Sequence, residues 1–266
     1  MYEPFFGLRE KPFNLTPDPA FLFLSKKHQE ALSHLTYGIK ERKGFIEITG
    51  EIGAGKSTLC RALLSRLGEN IKTAYLLNSN ITSDMQLLCT IIDDLGIKPV
   101  GKNKMSLLKA MNKFLLEQTL EGNNVVLIID EAQNLKPKVL EQIRMLSNLE
   151  TDKEKLLQII LVGQPELKEI LRSPGLAQLN QRITVRYHVS PLLREETEDY
   201  VKHRLNVAGA NGSISFTDAA FDGIHCFSGG VPRLINVICD KTLLLAFVEE
   251  TRQISADMVK KSSEEA

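Results

Sequence analysis

Between residues 45 and 189 the chain alternates short apolar runs with longer stretches of helical period. Residues 45–49, 73–77, 125–129 and 156–162 are strand-like runs of β-branched and aliphatic residues. Five consecutive branched residues, Val125 to Ile129, suit a strand buried on both faces, as in a parallel sheet. Residues 183–189 alternate polar and apolar, the pattern of a less buried strand. Helices are predicted between them. Residues 25–41 place Ala31, Leu32, Leu35 and Ile39 at helical spacing, and residues 137–148 put Val139, Leu140, Ile143 and Leu146 on one face. Further helices are expected over 58–67 (stopped by Gly68), 104–120, 166–171 and from Ser83 as cap to Leu95, where Gly96 ends the run. After Ser190-Pro191 only helices are expected, over 194–207, 217–227, 232–249 and 255–261, with Ser215, Thr217 and Ser255 as caps. The pattern predicts an α/β fold with a parallel β-sheet core flanked by helices, followed by a small all-helical domain. The closing Ser-Ser-Glu-Glu-Ala reads as frayed.

The first expected strand, residues 45–49, leads into Gly50-Glu51-Ile52-Gly53-Ala54-Gly55-Lys56-Ser57, and a helix opens at Thr58. Every fixed position of G-x-x-x-x-G-K-[ST] is filled, in the strand–loop–helix setting that gives the motif its meaning. Glycines let successive backbone N–H groups converge on phosphate oxygens, and the helix start adds its positive dipole. Lys56 is then expected at the β- and γ-phosphates and Ser57 on Mg²⁺, which makes ATP with Mg²⁺ the expected cofactor pair.

Two carboxylates, Asp130 and Glu131, close the most apolar strand, at the edge where ligands bind in open α/β sheets. Asp130 is the candidate Mg²⁺ acid and Glu131 the candidate to polarise an attacking water; the plainer alternative is a polar strand end. Gln164 follows the 156–162 strand and is a candidate sensor of the γ-phosphate, or simply a loop glutamine. Arg233 sits in the first turn of the 232–249 helix, where the dipole disfavours a cation. Such a local conflict marks a functional residue or a salt bridge.

Residues 1–30 combine Phe5, Phe6, Phe13, Phe21 and Phe23 with Pro4, Pro12, Pro17 and Pro19. Prolines oppose regular structure there while aromatics demand burial, so an ordered arm over the nucleotide-binding domain is expected, either lining an adenine pocket or packing only. Divisions at 1–43, 44–190 and 191–266 follow.

Composition narrows the classes further. Lys plus Arg equals Asp plus Glu at 33 each, so no global basic field invites nucleic acid. Cys60, Cys89, Cys226 and Cys239 are scattered, without C-x-x-C; three sit in apolar helical runs and read as buried thiols rather than zinc ligands or disulfides. The five histidines lack metal spacing and read as core or solvated. No basic-then-apolar leader and no apolar run of about 18 residues is present, so a cytoplasmic location without a membrane span is expected.

The order of these parts resembles AAA+ ATPases, and in particular the ATPase domain of the general secretion pathway protein A (ExeA/GspA) family and its exosortase-linked relatives. The likeness runs through Phe6-Gly7-Leu8, Pro12-Phe13, Pro17-Asp18-Pro19, Ile48-Thr49-Gly50-Glu51, Asp130-Glu131-Ala132-Gln133-Asn134-Leu135, Val162-Gly163-Gln164-Pro165-Glu166-Leu167 and Leu179-Asn180-Gln181-Arg182-Ile183. The resemblance implies an oligomeric ATPase that acts as a motor or switch in assembling an envelope secretion system, with an inner-membrane partner and a peripheral location at that membrane. Arg182 then resembles the arginine finger acting in trans, with Arg186 as the competing choice, and Arg233 the sensor-2 arginine of a helical lid. A DNA-associated AAA+ regulator is the alternative implied function. Family members from secretion loci continue into a membrane span and a peptidoglycan-binding domain. This chain stops soon after the lid, as a shorter relative or as the ATPase portion of a longer protein.

Overall fold

The computed structural model describes residues 1–16, 18–77, 81–151 and 154–264. The chain forms two compact units: residues 30–50 with 59–189, and residues 1–29 with 51–58 and 190–266.

The first unit holds a five-stranded sheet of β1 (Phe45–Gly50), β2 (Ile71–Leu77), β3 (Asn124–Asp130), β4 (Gln158–Gly163) and β5 (Ile183–Val189), ordered β2-β3-β4-β1-β5. Every neighbouring pair is parallel, so all C-terminal ends lie along one edge. The three central strands β1, β3 and β4 are buried at every position, while edge strand β5 alternates. That division explains the two hydrophobic patterns: a central strand is covered on both faces and an edge strand is not. One face is sealed by Leu87, Leu88 and Ile91 of helix Asp84–Asp94, Leu107, Met111 and Leu115 of helix Lys104–Leu120, and Val139, Leu140 and Ile143 of helix Pro137–Leu146. Ser83 caps its helix by accepting from the Gln86 N–H, and Asn103 does the same for Ser106; such caps contribute about 1 kcal/mol each.

Buried Glu47 interrupts the apolar run of β1. Its charge is met by the guanidinium of Arg186 on β5, although burial still pushes its carboxyl above the ordinary range.

The second unit has its own core, in which Tyr200, Val201, Leu205, Phe221, Ile224, Ile235, Ile238 and Val259 surround Tyr2, Phe6, Phe13 and Phe21. The aromatic arm, expected over the nucleotide-binding domain, thus contributes its buried side chains to the core of the C-terminal helices. Buried Arg204 shows why. Its Nη2 donates to the carbonyl of Asn14 at 3.2 Å, its Nη1 to the Tyr200 hydroxyl at 2.9 Å, and its guanidinium lies 4.8 Å from the Phe21 ring centre. Prolines limit the donors the arm can offer its own carbonyls, and an arginine fork supplies them to Pro12 and Asn14.

Several expectations change in detail. The arm contains short helical turns at Glu3–Phe6 and Pro19–Phe21, each with proline in the first turn, where a missing N–H costs nothing. Pro17 lies outside the described residues. The helix after the loop begins at Lys56 and ends at Leu64, inside the motif and before Gly68. A short helix, Ala177–Arg182, precedes β5. The C-terminal region is helical apart from a two-residue parallel pair, Ser215–Phe216 with Gln253–Ile254. Its last helix runs through Glu264, so the expected fraying does not extend to Ser262–Glu264; residues 265–266 lie outside the description. Cys60 and Cys239 are buried, whereas Cys89 and Cys226 are exposed.

Candidate functional site

Gly50 ends β1, and residues 51–55 form a tight loop before helix Lys56–Leu64. Within the loop the Ala54 N–H donates to the Glu51 carbonyl at 3.1 Å, and Lys56 Nζ donates to the same carbonyl at 2.9 Å. Gly53 and Gly55 have φ of 80° and 94°, values open to glycine and costly for other residues. Ala54 and Lys56 are buried, Ser57 and Thr58 partly so, and Glu51 and Ile52 are exposed. Ser57 and Thr58 fall in the first turn of the nine-residue helix, where free N–H groups and the dipole favour an anion.

Two side chains from elsewhere in this unit shape the loop. The first is Arg233, whose backbone N–H approaches the Gly53 carbonyl at 3.4 Å. A Cβ on Gly53 would stand 2.6 Å from Arg233 Cβ, so only glycine permits that approach. The helix-start arginine singled out by its conflict with the dipole therefore lies against the Gly-rich loop.

The second, His28, was not singled out by the sequence. Its Nε2 lies 3.2 Å from the Ala54 carbonyl and its Nδ1 2.9 Å from Ser25 Oγ. Since a carbonyl only accepts, Nε2 carries the proton and Nδ1 accepts from Ser25. A Cβ on Gly55 would meet Nε2 at 2.9 Å. The only signal in the sequence is a histidine three residues after Ser25 at the start of a helix, and nothing local tells that pair from a cap.

Burial pushes the His28 pKa below the ordinary value, opposed by its bond to Ala54 and the charge of Glu196. The neutral ring is thus the folded form. Its stabilisation is present above about pH 6.5 and lost as pH falls through the lower folded value. Stability is expected to decline from pH 7 to pH 5, less steeply in His28→Gln, which retains a donor without titrating. His28→Ala is expected to weaken nucleotide binding by about tenfold, the worth of one buried hydrogen bond. Melting curves across pH and calorimetry at pH 7.5 read both.

The other unit presents Asp130, Glu131 and Gln164 at the ends of β3 and β4, on the edge where β1 also ends. Asp130 is buried, and its Oδ2 accepts from the Tyr75 hydroxyl at 2.9 Å. Burial and the nearby carboxylate push the Tyr75 pKa far up, so the hydroxyl stays a donor. Glu131 takes left-handed backbone, φ 53° and ψ 39°, and its Oε2 accepts from Gln164 Nε2 at 3.3 Å. The two expected site residues Glu131 and Gln164 therefore meet.

Both arginines before and within β5 are engaged in their own unit. Arg182 Nη1 donates to Ser147 Oγ and Asn148 Oδ1, each at 2.7 Å. Arg186 pairs with Glu47 and donates through Nη2 to the Asn180 carbonyl and Oδ1 at 2.8 and 2.7 Å.

The donor set suits a magnesium nucleotide. The loop offers backbone amides, a lysine and a serine, and buried Asp130 is the kind of single carboxylate on which Mg²⁺ is held together with phosphates. No cluster of three or more His, Cys, Asp or Glu able to hold a metal occurs among the described residues. No helix of the described residues is long and apolar enough to cross a membrane.

A Gly-rich loop between β1 and a helix, an acidic pair ending β3 and a β2-β3-β4-β1-β5 sheet define a P-loop nucleotide-binding protein of AAA+ type. A family model described as an AAA domain matches residues 39–171, half of the chain, and the chain belongs to that family. It is 46% identical over 256 residues to General secretion pathway protein A of Aeromonas hydrophila, a match covering 96% of this chain and 46% of that protein. The chain thus spans less than half of that relative's length. Among solved structures it is similar to the Aeropyrum pernix ORC2 protein in its ADPNP–ADP complexes, with TM-score 0.69 and 18% identity over 96% of this chain and 71% of that one. It is also similar to Cdc6p from Pyrobaculum aerophilum, with TM-score 0.69 and 18% identity over 94% and 71% of the two chains. The Thermotoga maritima RuvB Holliday junction branch migration motor gives TM-score 0.60 at 18% identity over 93% and 73%. At such identities the structural likenesses show the fold alone.

Proposed function

We propose that this protein is a Mg²⁺-dependent ATPase that works as a homo-oligomer, a motor or switch for assembling an envelope secretion or export system. The observation that carries the secretion reading is the 46% identity to General secretion pathway protein A over nearly the whole chain. The complete loop motif and the Asp130-Glu131 pair support hydrolysis as well as binding.

Each residue has a part that its chemistry fits. Backbone amides of the 50–58 loop cradle the phosphates, and Lys56 pairs with the β- and γ-phosphate oxygens. Ser57 and Asp130 would hold Mg²⁺, which would supply neutralisation of phosphate charge. Glu131 accepts a proton from the attacking water and Gln164 orients it. Arg233 adds a cation from the helical lid, so that lid position follows the state of the nucleotide. Arg182, released from Ser147 and Asn148, reaches the γ-phosphate bound to a neighbouring copy.

Mixing two inactive variants tests the oligomeric part. Arg182→Ala lacks the finger but keeps Glu131, and Glu131→Gln keeps the finger. If Arg182 acts in trans, an equal mixture recovers phosphate release that neither variant shows alone. No recovery, or recovery only when Arg186→Ala replaces Arg182→Ala, removes Arg182 from this role.

A further inference from the structure

Glu131 is the carboxylate on which the proposed hydrolysis turns, and its backbone does not hold it in line with β3. Its φ of 53° turns the chain out of the strand, so the side chain depends on outside partners for its orientation. Two amide groups supply them. Gln133 Nε2 donates to Glu131 Oε2 at 2.6 Å, and Gln164 Nε2 donates to the same oxygen at 3.3 Å.

Gln133 also uses its other end. Its Oε1 accepts the backbone N–H of Gln164 at 3.1 Å. These partners fix which end of the amide is which, since a carboxylate needs a donor and an N–H needs an acceptor. The space around Gln133 is closed as well: a Cβ on Gly163 would stand 2.7 Å from Gln133 Oε1. One side chain therefore joins the end of β3 to the end of β4, through the carboxylate on one strand end and the backbone on the other.

We propose that Gln133 is the positioning residue of the hydrolytic step, holding Glu131 by Oε2 so that Oε1 is presented to the attacking water, and tying that orientation to the Gln164 turn. The proposal rests on the reading of Glu131 as the group that polarises water. The contacts of the Gln133 amide are to Glu131 Oε2 and the Gln164 N–H. Gln133 acts through Glu131, so its loss lowers turnover without lowering affinity.

The test uses the full chain with saturating Mg²⁺ and ATP, and measures kcat, nucleotide Kd and Tm together. Gln133→Ala is expected to lower kcat about tenfold, the effect of one lost orienting hydrogen bond, with Kd within about threefold of wild type. A merely structural role would lower affinity and Tm together with turnover, so the split between kcat and Kd separates the two.

If Gln133→Ala loses Tm, Gln133→Met, of similar length without polar atoms, decides instead: a tenfold fall in kcat supports the assignment and a wild-type kcat overturns it. Wild-type kcat in Gln133→Ala, with Glu131→Gln inactive, overturns the role of Gln133 and leaves that of Glu131 intact. Full turnover by Glu131→Gln removes both.

Discussion

Lys56→Ala is expected to raise the Kd for magnesium ATP by at least about a hundredfold, which calorimetry at micromolar protein would read as no measurable binding. Charge-assisted hydrogen bonds contribute about 1.5–3 kcal/mol each, and a lysine at the β- and γ-phosphates makes at least two. The side chain is buried, and its Nζ donates to the Glu51 carbonyl at 2.9 Å, inside the loop that would receive the phosphates. The ammonium therefore has a short path from one oxygen acceptor to another. Substitution also removes a donor that helps close the loop, so the loss combines direct contact and loop shape. Lys56→Arg keeps the charge but replaces a compact ammonium by a planar fork, and is expected to bind weakly as well. Unchanged affinity in Lys56→Ala would sink the assignment of residues 50–58 as the phosphate cradle.

Glu131→Gln is expected to behave in the opposite way. Affinity for ATP stays within a few-fold of wild type while steady-state phosphate release falls about 10²–10⁴-fold, the usual contribution of a general base. The amide matches the carboxylate in shape and can meet Gln133 and Gln164 by turning over, so the site keeps its form and loses only the proton acceptor. Phosphate release at the wild-type rate would show that another group handles the water.

The two variants together divide binding from chemistry. Loss of binding in the first and of turnover alone in the second would place the two functions on different strand ends, β1 and β3. Equal loss of affinity in both would mean that Glu131 serves the fold of its strand end and not the reaction.

The placement of much of the candidate site is legible in the order of residues alone. The Gly-rich loop fills every fixed position of an eight-residue motif between a strand and a helix, and Asp130-Glu131 follows an apolar run that suits a strand buried on both faces, as β3 is. The position of Gln164 is legible for the same reason, after another buried run, β4. His28 and Gln133 are not. A histidine near a helix start and a glutamine after an acidic pair are ordinary residues in their own neighbourhoods. Only the approach of Ala54 to the first, and of Gln164 to the second, gives them partners. The arm is half legible: its aromatics announce burial, but burial against which core depends on Arg204, some 190 residues away.

The sequence by itself determined the parallel α/β core, the helical C-terminal region, the Gly-rich loop after β1 and the strand-end carboxylates. Each of these follows from the spacing of residues within about twenty positions, over which hydrophobic period, capping and motif chemistry act. The tertiary structure decided which distant groups satisfy one another: Glu47 with Arg186, Arg182 with Ser147 and Asn148, the arm with Arg204, and Gln133 between Glu131 and Gln164. The physical reason is that a buried charge or amide must find a partner, but any residue of suitable chemistry will serve. Which one is within reach is fixed by strand order and packing, and these are not written in the local pattern.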